Sequence, residues 1–295
     1  MKERVCVLMS TYNGQDFIKE QIESILQQQN VEVKLIIRDD GSKDGTLDIL
    51  CQYYNSGLIE YSSGENLGYA GSFIRLLQDA PECEYYAFSD QDDIWLEDKL
   101  YMAIKCLKNQ HADKQLYYSN LSIFQNGAVL GMMRHPNTTT DKYRCLNQSI
   151  CTGCTIVINN SLRKFVLSHL PSIIHVHDLW LFHTAVFLGN FYYDDNSFIL
   201  YRQHGDNQIG AKFTRAARMK SRIKSLKTLT RQHEKEDEAK LLLESYSPLL
   251  SSEDIDIIKK VANYKKNLKN RLSLFADQKY NTSIFDKMRI LLGVY

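Results

Sequence analysis

No apolar run in this 295-residue chain approaches the roughly 18 residues that a bilayer-spanning helix needs, so the expectation is a soluble or at most peripheral protein. Nothing at the N-terminus reads as a secretory signal peptide, and seven cysteines without regular pairing read as reduced thiols. Together these predict a cytoplasmic protein. An excess of either charge is also missing. The 36 Lys and Arg and 35 Asp and Glu leave a net +1, a balance that as a whole favours neither nucleic acid nor an acidic substrate. The glycine loops that cradle nucleotides are absent too: no G-x-G-x-x-G follows the first strand, and G-x-x-x-x-G-K-[ST] does not occur. A dinucleotide oxidoreductase and a P-loop enzyme are thereby disfavoured. Cys151 and Cys154 form a C-x-x-C, but no second pair completes a zinc site, so both read as small packed residues.

What is present is ordinary globular material, 44% hydrophobic and 24% charged, enough for a sizeable core. Val5 to Met9 is a near-continuous apolar run, as in a strand covered on both faces. Helical spacing follows from Phe17 to Leu26, then a strand over Val33 to Ile37 and a helix over Thr46 to Tyr54. A third strand at Ile59 to Tyr61, a helix around Ser72 to Leu77, a fourth strand at Tyr85 to Phe88 and a helix from Leu96 to Leu107 continue the alternation. The pattern predicts an α/β fold with a mostly parallel sheet between helices. In such sheets ligands bind at the carboxyl ends of the strands. Three polar clusters fall there: Ser10-Thr11-Tyr12-Asn13, Asp39-Asp40-Gly41-Ser42 and Ser89 to Asp93. Three carboxylates in "SDQDD" repel unless something offsets them, and a divalent cation held by Asp90 and Asp92 would also neutralise a bound diphosphate. Gly41 allows a sharp turn that would leave Asp40 free to accept a hydrogen bond from a base.

The segments "VCVLMSTYNGQDFIKEQIESILQQ", "IIRDDGSKDGT", "NLGYAGSF" and "FSDQDDIWLEDKL" resemble, in order and spacing over residues 4 to 100, the family 2 glycosyltransferases of the GT-A fold. The resemblance is nearest to the bacterial rhamnosyltransferase-like branch and continues through "CTGCTIVINNS", "HVHDLW" and "YRQHGDNQIG" to about residue 210. It implies an inverting, metal-dependent transfer from a nucleoside diphosphate sugar to a hydroxyl. It assigns base binding to Ser10, Tyr12 and Asp40, with Thr11, Asn13, Gly68 and Gln91 beside them in the donor site and Asn66 near the nucleoside and phosphates. The D-x-D motif falls on Asp90 and Asp92, Asp92 being the expected direct ligand of Mn²⁺ or Mg²⁺, and the catalytic base on Asp178. A late histidine completes the metal shell in some such enzymes, and His204 is the residue in position to do so. Otherwise it closes over the diphosphate in a loop with Gly205 and Gly210. The Q-x-x-R-W of processive synthases is absent. The implied donor is dTDP-L-rhamnose or a UDP-sugar, and the implied acceptor a saccharide or lipid-linked saccharide of the cell envelope or capsule.

Other readings stand beside these. Asp39-Asp40-Gly41-Ser42 also fits a plain turn with an Asp-capped helix, and Asp93 a charge at the start of the following helix. His175 and His177 read as acceptor-cleft residues. Trp95 and Trp180 are either core or sugar-stacking platforms, with Trp180 the expected sugar contact because it lies two residues from Asp178. A nucleotidyltransferase would share the sheet and acidic ligands, yet "STYNGQDF" has none of its basic residues; a non-catalytic subunit of the same fold is the other rival. The division expected is a catalytic domain over 1–210, split into donor (1–100) and acceptor (101–210) halves, and a helical extension over 211–295. From Asn207 to His233 there is no acid, and basic residues from Lys212 to Arg231 alternate with an apolar stripe. That stretch suits an anionic membrane surface or packing on the domain, and the remainder suits a homodimer contact or a hold on a lipid-linked acceptor.

Overall fold

The computed structural model describes residues 2–133, 142–147, 151–204, 235–280 and 284–292. Strand β1 (Glu3–Thr11) lies at the centre, parallel to β2 (Val31–Asp39) on one side and β4 (Tyr85–Ser89) on the other, with β3 (Glu60–Ser63) parallel beyond β2. Helices α1 (Ile18–Leu26), α2 (Thr46–Asn55) and α3 (Gly68–Asp79) make the crossovers. The apolar run in β1 is explained by burial on both faces. Cys6 and Leu8 join one core cluster, whereas Val5, Val7 and Met9 join the other.

Parallel pairing is continuous through β3-β2-β1-β4 and recurs at one pair further along, the other pairs being antiparallel, so the second half of the sheet is mixed. Beyond β4 come β8 (Val157–Asn159), antiparallel to it, then β6 (Gln115–Gln125), β9 (Asn190–Arg202) and the short β5 (Ile94–Trp95), while β7 (Ala128–Met132) pairs on β6. The expected helix from Leu96 instead starts later, as α4 (Lys99–Lys108), because Ile94 and Trp95 pair with Leu200 and Ile199 first. Helices α5 (Lys142–Asn147), α6 (Asn160–Ser168) and α7 (His177–Leu188) cover the first cluster's face.

Four further helices follow: α8 (Lys235–Tyr246), α9 (Ser252–Ala262), α10 (Leu268–Ala276) and α11 (Ile284–Leu292). Leu242, Tyr246, Ile258 and Leu274 from these helices lie in the same buried cluster as Leu8 of β1 and Trp180 of α7. The expected C-terminal helical extension is therefore present, and its helices pack into the same core as the sheet. The basic stretch and the boundary expected near residue 210 lie outside the described residues. No helix among the described residues is long and apolar enough to cross a membrane.

Candidate active site

The loops that leave β1, β2 and β4 meet at the carboxyl edge of the sheet and are fastened to each other by side chains. Gln91 accepts from the Thr11 hydroxyl (2.6 Å) and the Tyr12 amide (2.9 Å) and donates to the Tyr12 carbonyl (3.2 Å). Gly14 sits against it so closely that a Cβ there would come 2.4 Å from Gln91 Oε1. Asn13, in the left-handed region at φ +49°, accepts from the Lys43 amide, and its own amide donates to Ser42 Oγ (both 2.8 Å). Tyr12 is left 48% exposed, its ring open to solvent at the rim.

The two aspartates of the β2 loop divide their work differently from the sequence expectation. Asp39 is fully buried and accepts from the Gly41 and Ser42 amides and from the Ser42 and Ser63 hydroxyls, which builds the turn that Gly41 completes at φ +85°. Asp40 is not free to meet a base. It is buried, ion-paired with Arg38, and accepts from the Leu67 amide at 3.1 Å. Arg38 in turn donates to the Glu65 carbonyl and to Ser72 Oγ, which also accepts from Ser10 Oγ at 2.7 Å. Asn66, exposed, accepts from the Gly68 amide at 2.9 Å, shaping the left-handed turn at Gly68 (φ +69°) that starts α3.

The acidic segment separates into two sets. Asp92 Oδ2 lies 2.7 Å from His204 Nε2, whose ring stacks on Phe17 at 4.8 Å. Asp90 groups with Asp93 and the Cys154 thiol, their ligand atoms within 4.8 Å of one another. Asp93 does not open a helix as expected. It is fully buried, accepts from the Arg202 amide at 3.2 Å, and burial beside Asp92 and Asp90 pushes its pKa far up. Burial and the charges of Asp92 and Asp178 raise Asp90 to about 7. Asp92 with the facing His204 imidazole is a donor pair that Mn²⁺ or Mg²⁺ fits, whereas Asp90 lies with Asp93 and Cys154, and among the described residues the ligand atoms of Asp90, Asp92 and His204 do not gather into one group. The Cys154 thiol fits such hard cations poorly, since burial and Asp93 push its pKa well up and keep it protonated.

Asp178 stands in the first turn of α7, half-buried, and accepts from the Leu179 amide at 2.7 Å and from the Gly153 amide. The residue at the cap position is Val176, whose apolar side chain accepts no capping hydrogen bond, so Asp178 is not the helix cap. Burial raises Asp178 to about 6 despite those amides. Gly153, missed in the sequence, allows the approach: a Cβ there would meet His177 Nε2 at 3.2 Å and Asp178 Oδ2 at 3.4 Å.

Three expected sugar contacts are corrected by burial. Trp180 is fully buried and stacks on Tyr246 of α8 at 5.1 Å. Trp95 is 3% exposed beneath the Lys99 ammonium, 3.7 Å from its ring centre. His177 stacks on Phe73 at 4.2 Å with both ring nitrogens unpartnered, and burial lowers it to about 3, so it is a neutral core residue behind Asp178.

Residues 6–166, more than half of the chain, match the family model described as glycosyl transferase family 2. The chain belongs to that family. A dTDP-rhamnosyl transferase, RfbG, of Shigella flexneri is 33% identical over 226 residues, 72% of this chain and 77% of that one. In fold this glycosyltransferase is similar to S. aureus TarS residues 1–349, solved with UDP-GlcNAc. Their TM-score is 0.58 at 18% identity, over 99% of this chain and 91% of that one. It is similar also to a mannosyltransferase of Pyrobaculum calidifontis solved with GDP-Man and Mn²⁺, at TM-score 0.55 and 16% identity, over 99% and 80% of the two chains. The GT-A fold implied by the sequence is thereby shown.

Proposed function

We propose that this glycosyltransferase moves a sugar, with inversion, from a nucleoside diphosphate donor to a hydroxyl of a saccharide or lipid-linked saccharide. The product would be a cell-envelope or capsular polysaccharide made on the cytoplasmic side of the membrane. One observation carries the reading: Gly153 lies against the Asp178 carboxyl and the next residue, Cys154, groups with Asp90, so carboxylates from opposite halves of the chain meet across one turn at the carboxyl edge of the sheet. Asp178 takes the proton of the acceptor hydroxyl as its oxygen attacks the anomeric carbon from the face opposite the diphosphate. That single displacement inverts the centre. Asp92 and His204 would hold Mn²⁺ or Mg²⁺, which when bound offsets the charge that builds on the departing diphosphate. Tyr12, with its exposed ring, and Asn66 are the residues available to the nucleoside. The name of the Shigella relative favours dTDP-L-rhamnose as donor, with a UDP-hexose next.

Thermal shift with dTDP-rhamnose, UDP-glucose, UDP-GlcNAc and GDP-mannose, each with Mn²⁺ or with EDTA, tests this. A donor at about 100 times its dissociation constant stabilises the fold by about 2.7 kcal/mol. One nucleotide should raise the melting point, with Mn²⁺ only, and Asp92→Ala should lose that rise while melting normally without ligand. An equal shift in EDTA would remove the metal role, and no shift with any donor would remove the reading itself.

A further inference from the structure

Helix α8 carries two buried glutamates with opposite fates. Glu236, 6% exposed, accepts from the Lys265 amide at 2.8 Å and is satisfied by the fold. Glu238, 5% exposed, keeps an enclosed Oε1 with no hydrogen-bond partner. Its position is one where an apolar residue would pack. Glu238, Leu242 and Tyr246 recur at four-residue spacing, all buried, and Tyr246 fixes the stripe onto α7 by stacking on Trp180 and bonding Thr184 Oγ1 at 2.9 Å. An unpartnered carboxylate there costs the fold more than a leucine would. Burial, and after it the charge of Asp178, raise Glu238 to about 7, so the side chain lies in the electrostatic reach of the proposed base. Both carboxylates act on Tyr69 of α3 as well, whose hydroxyl donates to the His175 carbonyl at 3.1 Å. Three elements thus converge beside the proposed base, the Tyr69 ring lying 6.1 Å from that of His177 next to Asp178, and the acceptor on α8 has no hydrogen-bond partner among the described residues.

We propose that Glu238 is an acceptor-binding residue: it accepts a hydrogen bond from a second hydroxyl of the acceptor sugar, next to the hydroxyl that Asp178 deprotonates. The C-terminal helices then contribute to specificity as well as to the core. A sugar presenting two neighbouring hydroxyls satisfies both carboxylates at once, whereas water or a lone alcohol satisfies one. This rests on the glycosyltransferase reading above.

The test is the partition of the donor between transfer and hydrolysis, with octyl glycosides of glucose, rhamnose and N-acetylglucosamine and a short-chain diphosphate-linked N-acetylglucosamine as acceptor probes. Glu238→Leu should lower the transfer-to-hydrolysis ratio at least tenfold and raise the acceptor KM, with the donor KM held. Glu238→Gln, whose amide oxygen still accepts, should stay within about threefold of the parent. A purely structural role would lower transfer and hydrolysis together and leave the ratio where it was, and that result in Glu238→Leu overturns the proposal. Wild-type protein inert toward every donor, water included, overturns the glycosyltransferase reading and this one with it.

Discussion

Asp178 combines two demands that pull against each other. A base must be ionised at working pH, yet burial raises this carboxyl from its ordinary 3.8 to about 6. Transfer should therefore fall on the acid side of about pH 6, in the limb where the base takes up its proton. The same shift sets a stability trend of known sign. The fold favours the protonated form, so the contribution of this group is fully present below about pH 4 and is lost as pH rises through about 6. Asn mimics the protonated form and cannot accept the acceptor's proton. Asp178→Asn should thus melt at or above the parent temperature at pH 7.5, converge with it near pH 4, bind donor normally, and transfer at least about a hundredfold more slowly. A near-normal transfer rate would remove Asp178 from the mechanism. The family resemblance, which implies a lone aspartate shortly before a helix, singled this residue out, and the structure sets it in that helix's first turn. The same segment also held the sign against Trp180 as a sugar platform: Leu179-Trp180-Leu181-Phe182 is apolar on every face, the mark of a buried helix.

At the scale of elements, the loops after β1, β2 and β4 were legible as a site because each is a polar cluster after an apolar strand. The division of labour inside them was not. Two adjacent aspartates look alike in sequence, and only the fold shows that Asp39 closes the turn while Arg38 claims Asp40. A buried arginine two residues before Asp40 was the available hint. Sequence alone gives such a residue little weight, because strand ends commonly expose arginines. The turn depends on Asp39 in a way that can be measured. Its removal strands two amides and two hydroxyls in a fully buried spot, at about 1–3 kcal/mol for each group that water cannot reach. Asp39→Ala should lower the unfolding free energy by about 2–4 kcal/mol in urea titration and weaken donor binding, while Asp39→Asn, which keeps acceptor atoms, should lose less. An unchanged urea midpoint in the alanine variant would show that the loops hold without it.

For the whole molecule, the legible half is the one built from consecutive strand–helix units, where neighbours in sequence are neighbours in the sheet. The rest depends on distant pairing: Gln115 lies opposite Asn190, and Ile94 opposite Leu200, registers that local periodicity does not record. The C-terminal helices were read as an extension for the same reason, since their amphipathic faces do not say what they cover. They cover the core, so the chain should unfold as one unit. The two tryptophans offer a direct probe because the sheet separates them, with Trp95 in the cluster under α1 and α4 and Trp180 in the cluster under α8. Their ring nitrogens are both unpartnered, so replacement by Phe removes volume and no hydrogen bond. In Trp95→Phe the remaining fluorescence reports the C-terminal side, and in Trp180→Phe it reports the donor side. Each variant should show a fluorescence midpoint in urea that coincides with its own far-ultraviolet circular dichroism midpoint. If the C-terminal helices were an independent module, Trp180 would become exposed before the sheet is lost, and the two midpoints in Trp95→Phe would separate.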